Sequence, residues 1–127
     1  MNVLDENIID SQRHLLRDRG IAFRQIGVEV GQSGMSDQQV LALLHGLNRP
    51  TFFTRDDDFY ERRLCHLRYC LVYIDADDEE VAEYVAATLR HPDLKTWAQR
   101  QGMVFRVSSQ GGRAWRLHAP RETPLTW

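Results

Sequence analysis

Short apolar runs of strand character alternate along this chain with segments of helical period, and that alternation leaves few architectures open. Residues 1–5 read as a strand that ends on Asp5. Residues 8–19 place Ile8, Ile9, Leu15 and Leu16 at helical spacing, and Gly20 stands where a helix C-cap is expected. Residues 21–26 read as a second strand, followed by a loop with Gly27, Gly31 and Gly34. Ser36 and Gln39 form a capping box, and Val40, Leu41, Leu43, Leu44 and Leu47 continue its helix until Asn48-Arg49-Pro50 stops it. Thr51-Phe52-Phe53-Thr54 and Cys70-Leu71-Val72-Tyr73-Ile74 read as buried strands, the second the clearest in the chain. Residues 78–90 predict a helix with Val81, Tyr84, Val85 and Leu89 on one face, and 94–100 a further short one. Residues 102–118 predict a terminal β-hairpin turning at 108–112, and Pro120 and Pro124 mark 119–127 as a tail. Strands and helices following one another along the chain predict a mostly parallel sheet covered by helices, in one domain spanning 1–127.

In such sheets the ligand crevice lies beyond the carboxyl ends of the strands. Asp5 and Asp56 stand at two of those ends, and Asp37 opens a helix after the loop that follows a third. With Asp58 these acids form a candidate metal site. Gathered carboxylates repel one another, and a bound cation relieves that repulsion. An all-oxygen donor set favours Mg²⁺ or Mn²⁺ over zinc. Such an ion polarises a phosphoryl oxygen and activates water, the two functions phosphodiester hydrolysis needs. Each acid also has a structural role open to it. Asp37 suits a helix N-terminus through the macrodipole, Asp58 could cap the turn after its strand, and Glu6 and Asp57 are expected to face solvent.

Composition narrows the rest. A chain of 127 residues can bury a core without disulfides, and 43% hydrophobic and 27% charged residues fit a globular domain. No apolar run approaches the ~20 residues of a membrane helix. The acidic opening Met1-Asn2-Val3-Leu4-Asp5 lacks the basic start of a signal peptide, so a cytoplasmic protein is expected. Cys65, His66 and Cys70 are one ligand short of a closed zinc site, and two cysteines make no disulfide scaffold. They read as buried or idle thiols. The net charge of −2 does not announce a nucleic-acid binder, and Lys95 is the single lysine beside many arginines.

Leu4-Asp5-Glu6-Asn7, Ser36-Asp37-Gln38-Gln39-Val40-Leu41 and Thr54-Arg55-Asp56-Asp57-Asp58-Phe59 together resemble a PIN-like group. Its members open with Leu-Asp-Glu-Asn and carry Ser-Asp-x-x-Val-Leu and Thr-Arg-Asp-x-Asp-Phe. The likeness covers about residues 1–75. It implies a PIN-like three-layer α/β/α sandwich with a mostly parallel central sheet. It further implies a metal-dependent ribonuclease, the toxin of a type II toxin–antitoxin pair, working as a homodimer with an antitoxin protein as partner. By position, Asp5, Asp37 and Asp56 would hold Mg²⁺ or Mn²⁺, with Asp58 a fourth ligand.

Two other readings compete. A receiver-type phospho-acceptor would use Asp5-Glu6 and Asp56, but it needs a late lysine at a strand end, and Lys95 falls in a segment of helical character. A catalytically inactive PIN-like binding module would use the basic residues. Arg55, Arg62, Arg63 and Arg68 could steer an RNA backbone toward the acids or pair with Asp57 and Glu61. Arg106, Arg113, Arg116 and His118, around Trp115, could meet phosphates and stack a base, or guard an exposed sheet edge.

Overall fold

The computed structural model describes residues 1–126. Seven strands form one continuous sheet: β1 (Asn2–Leu4), β2 (Arg24–Gln25), β3 (Thr51–Thr54), β4 (Cys70–Ile74), β5 (Val104–Ser108), β6 (Gly111–Trp115) and β7 (Thr123–Leu125). The spatial order is β2-β1-β3-β4-β5-β6-β7. β1 to β5 run parallel, β6 returns antiparallel to β5, and β7 pairs antiparallel with β6. Four helices connect them: α1 (Asp10–Asp18), α2 (Asp37–Gly46), α3 (Val81–Arg90) and the short α4 (Trp97–Arg100). No helix among the described residues is long and apolar enough to cross a membrane.

Strand side chains alternate between faces, and register turns that alternation into two layers. Val3, Phe52, Leu71 and Val104 stand side by side across four strands, and so do Leu4, Phe53, Val72 and Phe105. All eight are at most 1% exposed. The first row meets Val40 and Leu44 of α2 in one core. The second meets Leu16 of α1 and Val81, Ala82 and Val85 of α3 in the other. The result is a helix–sheet–helix sandwich, the general α/β architecture expected. Fully burying one such side chain contributes roughly 1.5–3 kcal/mol, so these rows fix the register.

Several expected boundaries shift. α1 begins at Asp10, because Ile8 turns inward to the core and Ile9 stays extended ahead of the first helical turn. The strand expected at 21–26 narrows to Arg24–Gln25, while Ile21 and Phe23 pack on the core as irregular chain. The helix expected at 78–90 opens as a 3-10 turn, Asp78–Glu80, before α3 proper. Leu94 is buried in a turn, so the second late helix starts only at Trp97, behind a Thr96–Gln99 capping box.

The expected tail is the largest correction. Thr123–Leu125 adds a strand to β6, so the hairpin becomes a three-stranded meander. Pro124 sits on the outermost strand, where a missing N–H costs least. The guard role expected for Arg106, Arg113, Arg116 and His118 therefore fails: β5 and β6 are inner strands, and β7 is the edge. Trp127 of that tail lies outside the described residues.

One polar group is buried beneath the first strand. Arg13 donates to Gln25 Oε1 at 2.8 Å and to both oxygens of Glu29 at 3.0 and 2.9 Å. That fork holds the Glu29 carboxyl down at about 2, from 4.5. Because the folded value is depressed, this stability is present above pH 4.5 and lost as pH falls toward 2. Glu29→Gln should therefore lower the melting temperature at pH 7, and the difference from wild type should shrink steadily between pH 4.5 and 2 in a calorimetric pH series. At the meander, a Cβ on Gly112 would lie 2.5 Å from the Phe105 ring, which is buried in the core. Gly112→Ala should cost roughly 1–3 kcal/mol in urea unfolding, the usual cost of overpacking.

Candidate functional site

The strand order turns back between β1 and β3. From β1 the chain crosses by α1 to β2 on one side. It then returns over the opposite face by α2 to β3 on the other. In open α/β sheets the crevice outside the carboxyl ends of two such strands is where ligands sit. Asp5 follows β1 and Asp56 lies two residues beyond β3, so both acids flank that crevice. Register makes them neighbours: Leu4 pairs with Phe53, and the Asp5 N–H donates to the Phe53 carbonyl at 3.0 Å.

Three of the four expected acids converge. Asp37, Asp56 and Asp58 each offer a carboxylate oxygen, and these oxygens all lie within 4.8 Å of one another. Asp37 arrives on the first turn of α2, whose capping box is present as expected: the Ser36 hydroxyl accepts from the Gln39 N–H, and the Gln39 side chain accepts from the Ser36 N–H. Asp56 caps the 3-10 turn Asp57–Phe59 by accepting from the Asp58 N–H at 2.9 Å. The capping role expected of Asp58 thus belongs to Asp56, and Asp58 is left for the cluster.

Asp5 lies outside that trio, one step deeper. Its Oδ2 accepts from the Thr54 hydroxyl at 2.6 Å, and its Oδ1 from the Glu6 N–H at 2.8 Å. The same Thr54 oxygen accepts the Asp56 N–H at 3.0 Å. Thr54 is fully buried, and it joins the two strand-end acids through one hydroxyl. Burial pushes the Asp5 carboxyl above the ordinary range, against these two hydrogen bonds, with Asp56 adding repulsion. Burial also raises the Asp37 carboxyl, and the charges of Asp56, Asp58 and Asp5 raise it further. The acids hold one another's charge at a cost, which a cation would remove.

Other residues that sequence reasoning passed over position these acids. Glu6, expected to face solvent, accepts from the Gly34 N–H at 2.8 Å. It thereby ties the β1 end to the glycine loop that delivers Asp37. Gln25, 2% exposed, donates its amide to the carbonyls of Asp5, Glu6 and Ile8 at 2.9, 3.2 and 2.8 Å. The turn carrying Asp5 therefore rests on a buried side chain. The one sequence signal was a glutamine within an expected strand, which by itself says nothing of its partners.

The basic residues separate. Arg55 donates to the Ala76 carbonyl and pairs with Asp78 at 2.7 Å, not with Asp57. Arg63 pairs with Glu61, as one of the two expectations had it. Arg62 lies over the Trp115 ring at 5.6 Å. Arg106 pairs with Asp75, and Arg113 with Glu122. Lys95 precedes α4, which leads to the amino end of β5, the end opposite Asp5 and Asp56. A phospho-acceptor reading has no lysine where it needs one. Cys70 is buried in the core, which pushes its thiol up to about 12, and Cys65 is half-buried. Among the described residues, the one grouping suited to a metal is Asp37, Asp56 and Asp58.

Comparison with protein-family models, with curated proteins and with solved structures returned no match.

Capping and ligand roles meet in Asp56 and can be separated by substitution. Asn caps as well as Asp, whereas Ala does not. In EDTA, Asp56→Ala should be less stable than Asp56→Asn by about 1 kcal/mol in urea unfolding. Equal stabilities would show that the 3-10 turn does not depend on its cap.

Proposed function

We propose that this chain is a metal-dependent ribonuclease in which Asp37, Asp56 and Asp58 hold Mg²⁺ or Mn²⁺ at the carboxyl ends of β1 and β3. The observation that carries the reading is the convergence of three carboxylates from two separate chain segments on the crevice where the strand order turns back. The donor set fits such an ion. Its oxygens lie within 4.8 Å of one another, against about 3–4.2 Å between ligands of an octahedral ion with ~2.1 Å bonds. The three motifs that resemble the PIN-like group also meet here, at the β1 end, the α2 start and the β3 end. Their spatial meeting supports that resemblance.

When bound, such an ion neutralises charge on the phosphoryl group and lowers the pKa of a coordinated water. The chain's own residues do the rest. Asp56 keeps Oδ1 on the Asp58 N–H, which leaves Oδ2 for a ligand. Asp58, released from capping, turns its carboxylate to the same point. Asp5 commits its oxygens to Thr54 and Glu6, and so fixes the height of the Asp56 backbone. Pairing with Asp78 holds Arg55 beside the crevice, where a phosphate would meet it.

Melting the protein in EDTA, in Mn²⁺ and in Mg²⁺ tests the site directly. A ligand held only by the native state at 100 times its dissociation constant adds about 2.7 kcal/mol. The melting temperature should rise with Mn²⁺ in wild type and not in Asp56→Asn, and wild type alone should cleave a fluorescent RNA in Mn²⁺. No rise in wild type would refute the metal site. A rise without cleavage would leave a metal-binding module that has lost, or never had, the hydrolytic activity.

A further inference from the structure

The near-neutral net charge conceals a separation of charge between the two ends of the sheet. Loops at the carboxyl ends of the parallel strands carry Asp5, Glu6, Glu29, Asp56 to Asp58, Glu61 and the acid-rich run at 75–80, against Arg55 and Arg63. At the opposite end, the segments leading into β3, β4 and β5 carry Arg49, Arg68 and Lys95, all exposed, against Asp93. A cleft of about 810 Å³ opens there, with Asn48, Arg49, Leu67, Arg68, Trp97 and Gln101 in its walls and no acidic side chain.

This end is built rather than merely basic. The Arg68 guanidinium donates to the His45 carbonyl at 2.8 Å, and its backbone N–H donates to His66 Nδ1 at 3.1 Å. His66, exposed, stacks on the buried Tyr69 with ring centroids 5.6 Å apart and 25° between planes, and meets His45 edge-on at 4.4 Å. Arg68 is thus fixed beside an aromatic step with one open face. Trp97 presents a second aromatic surface to the cleft. Arg49 holds a left-handed backbone, φ 52°, at the rim, which few non-glycine residues adopt.

We propose that this amino end of the sheet is a docking surface for single-stranded nucleic acid, with phosphates on Arg49, Arg68 and Lys95 and a base stacked at His66 or Trp97. Charge complementarity selects the occupant: with no metal bound, a polyanion is repelled by the acidic end and attracted here. Cations alternating with open aromatic faces suit a strand whose bases are unpaired. The surface does not depend on the metal reading, because it lies at the far end of the sheet from Asp37, Asp56 and Asp58.

The test is fluorescence anisotropy in EDTA, where no metal-dependent cleavage intervenes, with labelled single-stranded RNA and DNA of about 12 nucleotides, within the usual site sizes. Three phosphate contacts give a log–log salt slope of about −2, so affinity should fall roughly twentyfold between about 50 and 200 mM salt. Arg49→Ala/Arg68→Ala/Lys95→Ala should weaken binding and flatten the slope of what remains. Arg49→Lys/Arg68→Lys should keep the slope, and Asp56→Asn should bind as wild type. A triple-alanine variant that melts like wild type and still binds equally well would overturn the proposal. So would heparin, which has no bases to stack, displacing the RNA as effectively as unlabelled RNA does. Sedimentation showing that the triple variant loses self-association and not oligonucleotide binding would make this face a contact between copies, and the proposal would fall.

Discussion

Two apolar rows running across four parallel strands are the constraint from which the other features follow. Val3, Phe52, Leu71 and Val104 seal one helical layer, and Leu4, Phe53, Val72 and Phe105 the other. A one-residue slip would turn each row to the wrong core. The register therefore cannot drift, and the strands end in step. Asp5 and Thr54 come out side by side for that reason alone, close enough for a 2.6 Å hydrogen bond. The acidic crevice is in this sense a by-product of core packing: the hydrophobic contacts fix where the carboxylates emerge.

The polar contacts around the crevice refine what register begins. Thr54 joins Asp5 to the Asp56 backbone, Glu6 clasps Gly34, and Gln25 supports the Asp5, Glu6 and Ile8 carbonyls of the Asp5 turn. Gln25 is itself held by Arg13, which Glu29 grips in turn. Buried polar groups of this kind must be satisfied or they destabilise, and among the described residues no buried side-chain polar atom lacks a partner. The strand end is thus rigid where the acids must stay close despite repulsion. The same directionality of the parallel strands collects acids at one end and exposed arginines at the other, so one topology sets both the candidate metal site and the proposed docking surface.

Much of the fold was legible from local patterns. The Ser36–Gln39 capping box, the buried strands at Thr51–Thr54 and Cys70–Ile74, and the turn between β5 and β6 carry their signals within a few residues. Elements whose reason is not local were missed. β7 contains a proline and looks like tail, yet it pairs because β6 presents an open edge. The strand expected at 21–26 shrank because Ile21 and Phe23 satisfy the core without joining the ladder. In the site, Asp37, Asp56 and Asp58 meet as their strand-end and helix-start positions suggest, but Asp5 stands outside the trio, Glu6 binds Gly34 instead of facing solvent, and Thr54 and Gln25 carry no local signal of their roles. A hydrogen-bond partner 20 or 49 residues away leaves no trace in local spacing.

The amino-acid sequence by itself determined the alternation of strand and helix, the apolar rows that make a parallel sheet obligatory, and the placing of acids at strand ends and a helix start. Each of these is a statement about neighbours along the chain, where periodicity and capping act. The tertiary structure decided which acids meet. It brought Asp37, Asp56 and Asp58 together, set Asp5 beneath them, paired Arg55 with Asp78 and sent Arg49, Arg68 and Lys95 to the far end. Carboxylates and guanidinium groups interact over a few ångströms, and only the closing of the sheet brings residues so distant along the chain within that range.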